Sequence, residues 1–166
     1  MAISLDTLTN NSTRFSRSAN SYTFNQRSRK AFLCHSHIDA QYVKGFIQLL
    51  KDENIDVYVD WQDSSMPEST NRETAVKIQQ KIQEADYFFF LATPNSVKSR
   101  WCPWEIGYAD GVKRYESIFI IPTVDRYGSY YGNEYLQLYQ RIDRSTSGIL
   151  CFWKPDEQYG KYVSSL

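Results

Sequence analysis

Tyr87-Phe88-Phe89-Phe90-Leu91-Ala92 is an unbroken apolar run, preceded by Glu84 and Asp86 and followed by Pro94-Asn95-Ser96. A strand with one face in water would alternate apolar and polar residues. The absence of alternation predicts a central strand of a parallel sheet, covered on both faces, and Pro94 with its polar neighbours ends it. Upstream, Ala75, Ile78, Ile82 and Ala85 recur at helical spacing while Lys77, Gln80, Lys81 and Glu84 turn away, predicting a helix over residues 72–85 that docks by one stripe. Before it lie a β-branched and aromatic strand, Ile55 to Val59, and a long polar loop from Asp60 to Asn71 containing Met66-Pro67. Earlier still, Ala31-Phe32-Leu33-Cys34 reads as a buried strand, and Asp39 as the cap of a helix with Tyr42, Val43, Phe46, Ile47 and Leu50 on its apolar face.

Downstream of the central run, Pro103 suits a first helical turn, and the helix continues through Trp104, Gly107, Tyr108, Gly111 and Val112 towards Tyr115. Ser117 to Ile121 is a fourth strand. The tyrosine-rich stretch after Pro122 holds at most a short helix near Glu134 to Gln140, and Gly148 to Trp153 reads as a fifth strand. Strands alternating with helices imply an α/β fold of flavodoxin-like type, with a central parallel five-stranded sheet and helices on both faces.

The chain has 166 residues, enough for one domain with a tail. Its 42% hydrophobic content supports a packed core, and nineteen basic residues balance nineteen acidic ones. No net field draws it to nucleic acid or anionic membrane. Cys34, Cys102 and Cys151 show no paired spacing, as in a reduced cytoplasmic protein. No apolar run approaches the roughly 18–20 residues that cross a bilayer. Residues 1–29, rich in Ser, Thr and Asn, read as a flexible polar arm before a domain over 30–166; four arginines against the lone acid Asp6 also fit a mitochondrial presequence.

Open parallel sheets bind ligands beyond the carboxyl ends of their strands. Three clusters fall there: Cys34-His35-Ser36-His37, Asp60-Trp61-Gln62-Asp63, and Trp101-Cys102-Pro103-Trp104-Glu105. A Glu in a first helical turn often does no more than complement the helix dipole, the tryptophans also suit core anchoring, and Ser36 also suits a helix cap. Asp60 and Asp63 equally suit loop or capping roles. His35, His37 and Cys34 lack a second ligand pair at zinc spacing, so no metal site is expected.

These segments carry a family resemblance. AFLCHSHID resembles the strand-to-helix motif that opens TIR (Toll/interleukin-1 receptor) domains, VYVDW resembles their second strand, and WCPWE resembles the W-x-x-x-E signature of NAD-consuming members. Order and spacing agree from Lys30 to about Trp153, and the likeness extends to bacterial stand-alone TIR proteins, including those of Thoeris-type anti-phage defence. The resemblance implies an enzyme, an NAD glycohydrolase or ADP-ribosyl cyclase or transferase, with Glu105 catalytic and Trp101 against the departing ring. Backbone N–H groups near His35 and Ser36, where a helix begins, suit the pyrophosphate, and Asp60 and Trp61 are further candidate substrate contacts. NAD is then substrate, and no cofactor is implied.

That chemistry suits a single carboxylate. Ordinary glycosides need a second carboxyl group to protonate a poor leaving oxygen. Nicotinamide instead leaves a pyridinium as a neutral molecule, and one carboxylate can stabilise the ribosyl cation. Hydrolysis, cyclisation and transfer share this step. Implied partners are further copies of the chain through TIR–TIR contacts, and a separate effector that senses the nucleotide product. The competing readings are a non-catalytic TIR scaffold and a nucleoside deoxyribosyltransferase-like enzyme.

Overall fold

The computed structural model describes residues 1–18, 29–53, 55–58 and 71–166. In chain order its elements are β1 (Ile3–Ser4), α1 (Leu5–Ser18), β2 (Arg29–Cys34), α2 (Ala40–Lys51), β3 (Ile55–Tyr58), α3 (Arg72–Glu84), β4 (Tyr87–Ala92), α4 (Cys102–Val112), β5 (Ile118–Val124), β6 (Tyr130–Tyr131), β7 (Gln140–Arg144), β8 (Leu150–Trp153) and β9 (Lys161–Tyr162). The backbone pairing runs β3-β2-β4-β5-β7-β8-β9. The first five of these strands are mutually parallel, with β4 in the middle, as the apolar run at 87–92 requires.

The two-residue period of a strand divides this sheet between two cores. Leu33, Phe89, Leu91, Phe119 and Ile121 face one side, where they meet Val43, Phe46, Ile47 and Leu50 of α2. Phe32, Cys34, Phe88, Phe90, Ile118 and Ile120 face the other, where Ile78 and Ile82 of α3 and Ile106 and Ala109 of α4 cover them. Phe89 meets Phe119 edge to face at 5.7 Å, and Phe46 approaches Phe89 at 6.4 Å. Each such buried side chain stabilises the fold by roughly 1.5–3 kcal/mol. The result is the flavodoxin-like α/β fold expected from the sequence.

α3 begins where expected. Asn71 caps it by accepting from the Thr74 amide at 2.9 Å, while the Thr74 hydroxyl accepts from the Asn71 amide in return. Two other elements differ from the expectation. The fifth parallel strand is β7, not residues 148–153, and Leu150–Trp153 returns antiparallel to it as β8. Arg141, Asp143 and Arg144 are charged, leaving Ile142 as the apolar core contact of β7, so no apolar run announces it. Gly148, with φ +81°, supplies the left-handed residue of the intervening turn, where the Gly148 amide donates to Ser145 O at 2.9 Å.

The other correction concerns the expected flexible arm over 1–29. Ile3 and Ser4 pair in parallel with Thr123 and Val124 of β5, and α1 lies on α2. Leu5, Leu8, Ser12 and Phe15 are buried, a narrow stripe spaced by three and four residues on an otherwise polar helix. Ser4 opens the helix by accepting from the Thr7 amide at 3.0 Å. The polar composition concealed a seam that a single line of side chains is enough to dock. Residues 19–28, the rest of that arm, lie outside the described residues.

Candidate active site

The carboxyl ends of β2 and β4 lie side by side in the sheet, and the amino end of α4 meets the carboxyl end of β2 through Cys34 and Cys102. Glu105 lies in the first turn of α4, its amide bonded to Trp101 O at 2.9 Å, and it is only 6% exposed. A buried carboxylate is costly unless it has polar partners. One of them is the Cys34 thiol at the end of β2, which contacts the Glu105 carboxyl group. Cys34 Sγ also donates to Cys102 O at 3.8 Å, tying β2 to the start of α4. Burial, then the neighbouring Cys102 and Glu105, push the Cys34 thiol well above its ordinary pKa, so it stays protonated and acts as a donor.

Trp101 sits against this core, half-buried, its ring meeting Trp104 edge to face at 5.3 Å. Trp104 does not serve as the core anchor its apolar bulk suggests. It is 37% exposed and stacks on Tyr108 at 6.1 Å, forming an aromatic array along the outside of α4. The contact with Trp104 holds the Trp101 ring at the start of α4.

His35 is buried, with Nδ1 donating to Leu33 O at 2.8 Å. His37 meets it at 5.8 Å. Ser36 is half-buried and its carbonyl accepts from the Asp39 amide at 2.9 Å; its side chain makes no capping bond. The structure therefore brings Glu105, Trp101, His35 and Ser36 to one sheet edge. Asp60 and Trp61 lie outside the described residues.

Asp39 departs from its expected role as a helix cap. Its carboxylate is 2% exposed and accepts from Thr93 Oγ1 at 2.5 Å and Asn95 Nδ2 at 2.6 Å, linking the turn after β2 to the turn after β4. Ser96 completes the joint, donating from Oγ to Leu91 O at 2.7 Å and accepting from the Thr93 amide at 2.8 Å. These neutral donors on a buried carboxylate hold the two crevice turns at a fixed separation. The Thr-Pro-Asn-Ser stretch reads in sequence as a strand terminator, so this role is not announced there. Tyr135 is a second residue the sequence did not single out. Burial first, then the nearby Cys34 and Cys102, raise its phenol pKa.

Among the described residues, no group of three or more His, Cys, Asp or Glu side chains is arranged to hold a metal ion, and no helix is long and apolar enough to cross a membrane. The crevice offers a carboxylate, an indole, an imidazole and backbone donors.

The model of the TIR domain family matches residues 31–152, spanning the first parallel strand through β8. The chain belongs to the TIR domain family. The TIR match includes every crevice residue described above. Among similar proteins, the probable 3' cyclic ADP-D-ribose synthase ThsB' of Bacillus cereus (strain MSX-D12) is 36% identical over 117 residues, covering 69% of this chain and 61% of that protein. The putative cyclic ADP-D-ribose synthase TIR2 of Cytobacillus dafuensis is 27% identical over 88 residues, covering 51% of this chain and 23% of that protein. This TIR chain thus spans less than two thirds of the length of either relative.

Proposed function

We propose that this TIR protein cleaves NAD, releasing nicotinamide and forming ADP-ribose, a cyclic ADP-ribose isomer or an ADP-ribose conjugate as a signal in bacterial anti-phage immunity. The observation that carries the reading is the Glu105 carboxyl group, buried in the first turn of α4 and in contact with the Cys34 thiol at the carboxyl end of β2. Both named relatives are described as cyclic ADP-D-ribose synthases, which supports the same reaction here.

In this mechanism the bond between the ribose anomeric carbon and the nicotinamide nitrogen breaks heterolytically. Its electron pair neutralises the pyridinium, so the departing ring needs no proton. Glu105 then faces a ribosyl cation, and a negative charge already fixed in a desolvated site stabilises it without reorganisation. Trp101 presents a flat apolar face to the nicotinamide ring. His35 and Ser36, in the turn between β2 and α2, contact the pyrophosphate, and the family resemblance adds Asp60 and Trp61 as substrate contacts. Capture of the cation by water gives linear ADP-ribose, and capture by a hydroxyl of the same molecule gives the cyclic form; either nucleophile releases one proton.

Assembly through TIR–TIR contacts raises the activity, and Ile38, 82% exposed in the turn after β2, is an apolar residue available for such a contact. A separate effector protein reads the product. Incubation with NAD followed by mass analysis tests the proposal: nicotinamide should appear with an ADP-ribose species, the cyclic form lighter than the linear form by one water. Unaltered NAD under assembling conditions would leave a TIR scaffold as the remaining reading.

A further inference from the structure

On the α3–α4 side of the sheet, β5 extends beyond α4 and is bordered by the 134–138 turn. There the structure holds a crevice of about 300 Å³. Ile120, Pro122 and Leu136 provide apolar lining and Tyr130 and Tyr139 provide ring surfaces, with the Arg141 side chain among them. None of these residues has a part in the NAD chemistry above.

The polar groups of this crevice are organised in advance. Arg141 Nε donates to Asp143 Oδ2 at 3.3 Å, and the guanidinium lies 5.2 Å from the centre of the Trp153 ring. Among the described residues only Nε is engaged, so the two terminal nitrogens remain as donors for a ligand. A guanidinium held in this manner suits an oxyanion, because little rotamer freedom is lost on binding. Tyr139 is fixed by stacking on Tyr115 at 6.1 Å, and burial, with a hydrogen bond to Asp110, pushes its phenol pKa up to about 12. Tyr130 is held by the close approach of Gly132, where an added Cβ would lie 2.9 Å from Pro122 Cβ and 3.2 Å from Tyr130 Oη. Asp156, at φ +66°, also lines this crevice.

A cation, flat ring surfaces and a carboxylate in one crevice together describe a mononucleotide. The geometry points to a second ligand site in this protein, one that takes a nucleoside monophosphate: phosphate on Arg141, base against the tyrosine and proline surfaces, ribose hydroxyls towards Asp156. The volume lies at the small end of ligand pockets, which run from roughly 300 to 1,000 Å³, and matches a mononucleotide better than a dinucleotide. The inference stands apart from NAD cleavage, since it uses neither Glu105 nor Trp101.

Calorimetric titration of the full chain with AMP tests it. AMP should bind once per chain, and adenosine, lacking the phosphate, should bind at least about tenfold more weakly, as should AMP to Arg141→Gln. Arg141 also packs on Trp153, so a second variant is needed. Gln137→Glu alters an exposed side chain at the crevice, bonded among the described residues to Asn133 at 3.1 Å, and should weaken AMP by charge while the melting temperature stays unchanged. Glu105→Gln and Trp101→Ala should bind AMP as the unaltered protein does. Absence of binding at millimolar AMP would overturn the inference. So would binding that survives Arg141→Gln and is lost with Trp101→Ala, which would place AMP in the other crevice. A change in oligomeric state on Arg141→Gln with AMP affinity intact would make the crevice a protein contact instead, and would equally overturn it.

Discussion

Two glycines in helices should respond to the same substitution with opposite signs. Gly45 lies in α2 where α1 crosses, and a Cβ added there would stand 1.9 Å from Leu8 O and 2.6 Å from Leu8 C. That is roughly 1.5 Å inside ordinary contact, and the obstacle is backbone, which cannot swing aside as the end of a flexible side chain can. Gly45→Ala must therefore push α1 off α2. Overpacking of this kind costs about 1–3 kcal/mol, here towards the upper end, while the better helix propensity of Ala returns about 0.8–1 kcal/mol. The net loss of about 2 kcal/mol corresponds to a fall of about 4–8 °C in Tm for a chain of this size. Gly107, in α4, has nothing within 4 Å of an added Cβ, so Gly107→Ala keeps only the propensity gain and should raise Tm by about 2–4 °C. Thermal unfolding followed by circular dichroism measures both. A Gly45→Ala protein that melts at or above the unaltered one would refute the docking of α1 through Leu8, and with it the account of the amino-terminal segment.

Three further outcomes follow from the same geometry. Asp39→Ala leaves the buried Thr93 hydroxyl and the Asn95 amide without their acceptor, which should cost at least about 2 kcal/mol in urea unfolding; a change below about 0.5 kcal/mol would show the joint to be dispensable. The Ser129 amide, with the Tyr131 hydroxyl and the Tyr127 amide, outweighs desolvation and holds the Asp125 carboxyl below its ordinary value of 3.8. Its folded pKa is therefore below its unfolded one, so the loop contact is complete above 3.8 and is lost as pH falls through the lower folded value. An NMR titration of Asp125 with a midpoint at or above 3.8 would contradict this. Cys34 and Cys102 are fully buried, and burial raises the Cys34 thiol pKa, so both should resist iodoacetamide at neutral pH until urea is added; rapid labelling of either in the folded protein would open the crevice floor to solvent.

What could be read in the sequence was whatever produces strong periodicity. The apolar run at 87–92 has one reading, a strand buried on both faces, and β4 occupies the centre of the sheet as a result. Asn71 and Thr74 bound α3 through local hydrogen bonds that need no tertiary information. β7 was not legible, because Arg141, Asp143 and Arg144 leave it no apolar run and its pairing to β5 joins residues distant in the chain. Likewise α1 carries too narrow a stripe to stand out from its serines and threonines until Gly45 on the facing helix supplies the groove. In the crevice, Glu105, Trp101, His35 and Ser36 were visible as short motifs following strands. Asp39, Thr93 and Asn95 were not, since what joins them is an approach between two turns more than fifty residues apart in the chain.

The central claim is that the carboxylate of Glu105 stabilises charge as nicotinamide departs. Its most direct test is the initial rate of nicotinamide release from NAD by the assembled protein and by Glu105→Gln, which keeps the shape of the side chain and removes its charge. The amide variant should melt normally, retain NAD and fall in rate by at least about 10²–10³-fold. Release by the variant at the rate of the unaltered protein would contradict it.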